Sequence, residues 1–276
     1  MNKKIGLILA LVLVAFLVMG TASAGLFDFL GGNDSGNATT NDENTFIVGF
    51  DAEFPPYGFK DDSGNYTGFD LDLAKEVCER NNWTFVPQPI DWDAKDAEID
   101  SGSIDCIWNG FTIDGRENDY TWSDPYFDNK QVFIVKSDSG ISSIDDLKGE
   151  TVETQKDSSA LAALQGDNKT IADTFGTLTE VADYNTAFMD LESGACDAIA
   201  MDIGVGEYDI KNKDNPDDYK VLDQLINTEK YGIGFKKGND DLKNQVQDTL
   251  NEMFKDGTVA KIAEKYGISQ DALIQP

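Results

Sequence analysis

One seven-residue pattern occurs twice in this chain and constrains the fold more than any other feature. Ser101-Gly102-Ser103-Ile104-Asp105-Cys106-Ile107 is echoed 92 residues later by Ser193-Gly194-Ala195-Cys196-Asp197-Ala198-Ile199. Each copy reads as a helix closed by a glycine cap, a tight turn and a buried strand. Strand-like and helix-like segments alternate around both copies, which implies parallel α/β sheets. Two copies of one unit imply two similar α/β lobes; chance repetition of a common helix-turn-strand signal is the competing reading. Ligands of open α/β sheets bind beyond the carboxyl ends of the strands. Those ends are Asn109-Gly110-Phe111-Thr112 and Met201-Asp202. If the lobes face each other, the two ends meet across a cleft.

The spacing of apolar residues predicts strands at 46–50, 83–86, 104–108, 132–135, 152–154, 195–201 and 231–235. It predicts helices over 69–80, opening at 159–164, and over 240–254 and 259–266. In the first helix Leu71, Ala74, Val77 and Cys78 share a face, and Asp70 is placed to cap its start. Asp62-Ser63-Gly64-Asn65 reads as a hairpin turn, because a calcium loop would need a glutamate at its twelfth position.

The 276 residues allow one large domain or two ordinary ones, and 16 Phe, 9 Tyr and 4 Trp suffice for a packed core. The chain has no histidine and a formal charge of −29. Histidine-based nucleophile systems and His-ligated metals are therefore excluded, and phosphate backbones are repelled. Neither a metal nor a cofactor is expected. Lys3 and Lys4, an apolar run over 5–19 and Ala22-Ser23-Ala24 form a secretory signal at 1–24. Its alternative fate is retention as an anchor. Residues 25–44 read as a flexible tether, and the rest is expected outside the cytoplasm. Cys78, Cys106 and Cys196 match no metal spacing and lie in apolar patterns, so buried free thiols are expected.

Only two arginines occur, Arg80 and Arg116. Arg80 ends a helix and reads as a solvated residue. Arg116 follows the strand end at 109–112, where a guanidinium suits two-pronged capture of a carboxylate, with Thr112 adding a hydroxyl. A salt bridge to Asp114 or Glu117 is the other reading. Ser158 or Ser159 is placed as the cap of a helix whose free N–H groups suit an anion. Asp202 ends an apolar strand and needs a partner, either a ligand ammonium or the next helix. Phe54, Tyr57, Trp92 and Trp108 are candidates for an apolar pocket wall; core is the alternative for each.

These residues carry a family resemblance. Phe50-Asp51-Ala52-Glu53-Phe54-Pro55-Pro56-Tyr57-Gly58-Phe59, then Tyr66-Thr67-Gly68-Phe69-Asp70-Leu71-Asp72-Leu73-Ala74, is similar to the opening of the polar amino-acid-binding proteins of ABC importers, solute-binding protein family 3. Ser101 through Ile107, Ser123-Asp124-Pro125-Tyr126, Asp146-Leu147-Lys148-Gly149 and Asp256-Gly257-Thr258 match in the family's order. The resemblance implies a two-lobed periplasmic-binding-protein type II fold, each lobe a sheet flanked by helices, with two crossing hinge strands near 131–136 and 229–235. Lobe 1 would comprise 45–132 and 232–276, and lobe 2 residues 133–231. Arg116 resembles the family's carboxylate-binding arginine, with Thr112 and Gly110 as its partners in the loop that starts at Asn109. Asp202 resembles the acid that takes the α-ammonium. Ser158 and Ser159 fall where the second lobe meets the carboxylate, and Asp51, Phe54 and Trp92 where the side-chain pocket is lined. Two departures stand out: the loop between Thr112 and Arg116 is one residue shorter than the common pattern, and Asp157 replaces a frequent glycine.

The function implied is capture of a free amino acid, with a polar or cationic side chain favoured, and delivery to the membrane subunits of an ABC transporter. A monomer without catalytic activity and without a nucleic-acid partner is expected. The alternative is an extracytoplasmic enzyme on the same scaffold, of dehydratase or lytic-transglycosylase type, using Glu53 or Asp51 as acid or base.

Overall fold

The computed structural model describes residues 44–275. The signal at 1–24 and the tether, save its last residue, lie outside the described residues. The chain forms β1 (Thr45–Phe50), a small meander of β2 (Glu53–Phe54), β3 (Gly58–Lys60) and β4 (Tyr66–Thr67), then α1 (Phe69–Asn81) and β5 (Thr84–Pro89). α2 (Lys95–Ser101), β6 (Cys106–Ile107), β7 (Thr121–Trp122) and the long β8 (Phe127–Lys136) follow. Next come β9 (Thr151–Gln155), α3 (Ser159–Gln165), α4 (Lys169–Ala172), β10 (Thr177–Val181), α5 (Tyr184–Ser193), β11 (Ala198–Asp202) and α6 (Ile203–Lys211). β12 (Tyr219–Val221), β13 (Asn227–Tyr231), β14 (Gly234–Phe235), α7 (Asp240–Lys255) and α8 (Thr258–Lys265) complete the regular elements.

The strands build two main sheets. One has the order β5-β1-β6-β14-β7; the other runs β10-β9-β11-β8-β12, with β13 also on β8. The alternation of strands and helices predicts parallel sheets, but both are mixed. β5, β1 and β6 run parallel, as do β10, β9 and β11. β14 returns antiparallel between β6 and β7, and β8 lies antiparallel to β11, β12 and β13. The antiparallel pairs arise where the chain passes between sheets: β8 leaves the first, and β13 comes back beside it. The expected strand at 231–235 is split for the same reason, since Tyr231 still pairs with β8 while Gly234 already pairs with β6.

The sequence echo has a concrete structural basis. Gly102 and Gly194 both close their helices in the left-handed region at φ 79°, where a side chain is disfavoured. The aspartate three residues later then does the same thing twice. Asp105 exchanges its N–H with the Ile47 carbonyl at 2.8 Å and accepts the Ile47 N–H on Oδ2 at 2.7 Å. Asp197 does so with Thr151, at 2.8 and 2.9 Å. Each aspartate therefore pins the start of a buried strand to its parallel neighbour.

α1 buries Leu71, Leu73, Ala74, Val77 and Cys78, and the amphipathic α7 packs beside it with Val246, Leu250 and Met253 inward. Arg80 is not simply solvated: it ties this pair together through Glu76 and Asp256, both at 2.8 Å. Asp70 does not cap α1 either. It lies inside the first turn, fully buried, and reaches across to the site. The three cysteines are buried free thiols.

If the two aspartates are equivalent clamps, Asp105→Ala and Asp197→Ala should each cost about 1–2 kcal/mol, one backbone-to-carboxylate hydrogen bond. Urea unfolding measures this; a loss from only one of the two would show that the echo is not a shared structural unit.

Candidate functional site

The site is assembled where the strand ends of the two sheets meet. On the first sheet β6 gives way to a loop that Asp70 holds in place. Its Oδ2 accepts the Gly110 N–H at 2.5 Å and its Oδ1 the Tyr126 hydroxyl at 2.8 Å. Burial outweighs these bonds and pushes the Asp70 carboxyl up to about 7. Gly110 sits at φ 56°, and a Cβ there would come within 2.9 Å of the Phe54 ring. Only glycine lets the loop lie that close to the wall.

The same loop turns back tightly, with the Arg116 N–H on the Ile113 carbonyl at 2.8 Å. This turn returns the guanidinium to the cleft despite the shortened spacing. Nη1 donates to the Thr112 carbonyl at 3.3 Å and Nη2 to the Asp157 carbonyl at 3.0 Å. The guanidinium carbon stands 5.4 Å from the Phe111 ring centre. Arg116 pairs with neither Asp114 nor Glu117; Asp114 instead accepts the Lys230 N–H.

On the second sheet Asp202 ends β11, 4% exposed. Its Oδ1 accepts from Asn129 Nδ2 at 2.6 Å and from the Tyr231 hydroxyl at 2.5 Å. Burial first, then the neighbouring Glu229 carboxylate, raise its pKa to about 7. Asp202 precedes α6, but its side chain caps nothing there. Ser158 caps α3, accepting the Leu161 N–H at 3.1 Å, while the Ser159 hydroxyl donates to Glu229.

Between these groups lies a narrow cavity. Phe54, Trp92, Asn109, Gly110, Thr112 and Arg116 line it from one side, and Gln155, Ser158, Ser159 and Asp202 from the other. Nine of the ten residues singled out in the sequence thus share one cavity. Asp51 does not. It lies behind the wall, its Oδ1 on the Glu53 N–H at 2.8 Å and its Oδ2 on Gln155 Nε2 at 2.6 Å. It faces an adjoining cleft with Glu53, Asp91, Asp93, Asp183 and Lys156. Burial lifts its carboxyl to about 6. Trp108 and Tyr57 belong to the core and not to the wall.

Three residues near the cavity escape sequence reasoning. Gln155 joins the sheets through Asp51. Lys95, 1% exposed, pairs with the Asp157 carboxylate across the cleft, 5.2 Å from the Trp92 ring centre. Glu229 is 3% exposed and accepts from Thr112, Asn129 and Gln131, each at 2.8 Å. Its flanking residues, Thr228 and Lys230, read as a solvated edge; only the alternation with Tyr231 two residues on signals that it points inward.

A guanidinium on one wall and a half-satisfied carboxylate on the other suit a small molecule charged oppositely at its two ends. Since Asp202 holds its proton more tightly folded than unfolded, its contribution to stability fades as pH rises from about 4 through about 7. Asp202→Asn removes that loss. Its stability relative to the parent, read from urea midpoints, should improve between about pH 5 and about pH 8; a difference independent of pH would refute the raised pKa.

The family model of bacterial extracellular solute-binding proteins, family 3, matches residues 46–269. The L-cystine-binding protein TcyJ of Escherichia coli (strain K12) is 32% identical over 229 residues, 80% of this chain and 82% of that protein. A substrate-binding protein of an ABC uptake transporter from Streptococcus pneumoniae, solved with bound histidine, superposes with a TM-score of 0.78 at 32% identity, covering 81% of this chain and 92% of that one. The ancestral amino acid-binding protein AncCDT-1, a precursor of cyclohexadienyl dehydratase, superposes with a TM-score of 0.73 at 32% identity, covering 81% and 95%.

Proposed function

Because the chain belongs to the bacterial extracellular solute-binding proteins, family 3, we propose that it captures one free amino acid between two lobes and presents it to the membrane subunits of an ABC importer. Its fold is the two-lobed type II arrangement of periplasmic binding proteins. In this reading residues 45–132 and 232–276 form lobe 1, and 133–231 lobe 2. In this reading the protein is an extracytoplasmic monomer, exported by the signal at 1–24, with the tether at 25–44 leading into the folded body.

The observation that carries the reading is the placement of Arg116 and Asp202 on opposite walls of one cavity. Asp202 spends Oδ1 on Asn129 and Tyr231, which leaves Oδ2 for a ligand ammonium. Arg116, Thr112, Ser158 and Ser159 would meet the ligand carboxylate. Burying a zwitterion costs several kcal/mol per charge unless each end is paired and hydrogen-bonded. A ligand held by both lobes therefore favours the closed form by its contacts to each. Phe54 and Trp92 supply apolar surface for the side chain. Asp51, behind Gln155, adds negative charge in the direction of a polar or cationic side chain.

The enzymatic alternative has AncCDT-1 in its favour, since that protein is named as a precursor of a dehydratase. Against it stands the position of the two candidate acids. Neither Glu53 nor Asp51 lines the cavity, and both are held by side-chain amides, Asn185 and Gln155. An amino acid incubated with the protein and recovered unchanged supports binding without turnover; conversion would establish an enzyme.

A thermal-shift screen over the amino acids should find at least one that raises the melting temperature, because ligand at 100 times its Kd adds about 2.7 kcal/mol. Arg116→Ala should weaken that ligand by about 100-fold or more, the loss expected for one partner of a buried charge pair. Its ligand-free stability should stay within about 1 kcal/mol of the parent. Undiminished affinity in this variant would remove Arg116 from the site.

A further inference from the structure

Glu229 is buried on the crossing strand β13, yet the amino-acid reading assigns it no contact with ligand. Its surroundings come from three parts of the molecule. Thr112 Oγ1 donates to Oε1 at 2.8 Å from the loop that follows β6 in the first sheet. Asn129 Nδ2 and Gln131 Nε2 donate to the same oxygen at 2.8 Å from β8. The Ser159 hydroxyl donates to Oε2 from the start of α3, beside the second sheet. Among the described residues no cation pairs with Glu229; Lys230, its neighbour, pairs outward with Asp128. Four neutral donors thus meet this carboxylate, three on Oε1 and one on Oε2.

The donors differ in what opening would do to them. Asn129 and Gln131 sit on the strand paired with β13, in register with Glu229 and Asn227, so they travel with the carboxylate. Thr112 and Ser159 belong to opposite lobes. No rigid separation of the lobes can keep both on one side chain, so opening strips at least one charge-assisted bond from Glu229. Both hydroxyls also line the cavity.

We propose that Glu229 is a positioning residue that clasps Thr112 of one lobe and Ser159 of the other, giving the closed form stability of its own before any ligand contact is counted. The inference rests on the two-lobe reading but not on the identity of the ligand. It predicts that the closed form is populated without ligand and that the clasp adds measurably to that population, beside the contacts that Asp157 makes across the cleft with Lys95 and Arg116.

The test uses the full chain with spin labels at two exposed positions, Ala97→Cys in α2 and Asp167→Cys beyond α3. Distances between the labels are measured by pulsed electron resonance with no amino acid present, then with L-histidine as the probe. In the ligand-free protein Ser159→Ala should shift the closed-to-open ratio about tenfold toward open, the effect of losing one hydrogen bond to a charged group. Glu229→Met, similar in length but without an acceptor, should open the cleft at least as far. Adding Ser159→Ala to Glu229→Met should then change nothing, because the two residues act through one contact. A purely structural role for Glu229 would not produce this non-additivity.

A ligand-free parent with no closed population, a Ser159→Ala protein with parental distances, or full additivity in the double variant would each overturn the clasp. If Glu229→Met does not fold, the Ser159→Ala distances still decide. L-histidine and the thermal screen report separately on the amino-acid reading. A chain that binds no amino acid yet shows these shifts keeps the clasp and loses the reading; one that binds but ignores Ser159 does the reverse.

Discussion

Two carboxylates, Asp202 and Glu229, lie buried with one amide between them, and the rest of the site depends on how that charge is kept in place. Asn129 Nδ2 donates to both, at 2.6 and 2.8 Å. Among the described residues neither acid forms an ion pair. Buried charge satisfied only by neutral donors is costly, so it demands strict geometry. Strand register supplies it. Asp202 pairs with Gln131 across β11 and β8, and Glu229 with Asn129 across β13 and β8. A slip of one residue in either pairing would turn the acid to the opposite face and leave its donors empty. The crossing strands therefore do more than connect the sheets: they build the floor on which a positive group can settle.

The same constraint explains why the connecting strands are antiparallel in otherwise parallel sheets. A ribbon of β8 and β13 lets side chains from both passages point to one face at matched heights. Asn129, Gln131 and Glu229 alternate with outward residues such as Lys130 and Lys230, half of a ladder wet and half buried. Thr112 joins this ladder through its bridge to Tyr231, so the loop carrying Arg116 is keyed to the hinge as well as to Asp70. Asp70, the crossing strands and the returning turn at Arg116 thus bear on one loop from three directions.

Much of this was legible in the sequence, and the parts that were not share a cause. The repeated helix-turn-strand unit located both strand ends because its information is local: a glycine cap, an aspartate clamp and an apolar run lie within seven residues. Phe54, Trp92, Thr112, Arg116, Ser158 and Asp202 followed from those ends or from motif resemblance, and all of them face the cavity. Asp51 lies farther from it than the resemblance implies, because nothing in the sequence shows that Gln155 intervenes. Glu229, Lys95 and the inner role of Asp70 were missed. Each is a charged side chain in a polar neighbourhood, where solvent exposure is the default reading. Their partners lie 117, 62 and 40 residues away, a separation no local pattern encodes.

The substitution of an aspartate for a frequent glycine before the two serines looks adverse from the sequence, since it places a negative group beside a proposed carboxylate site. The backbone resolves the conflict. Asp157 adopts the left-handed conformation at φ 54°, a region that aspartate tolerates better than most residues. In that conformation its carbonyl oxygen meets Arg116 while its carboxylate meets Lys95. The negative charge is thereby drawn away from the cavity and neutralised by an ammonium that is itself buried against Trp92. Lys95 gains a counter-charge without which its burial would depress its pKa further. One residue thus joins the lobes twice, once through its main chain and once through its side chain. The position that glycine would leave flexible becomes a second bridge at the rim, opposite the one formed by Glu229 at the floor.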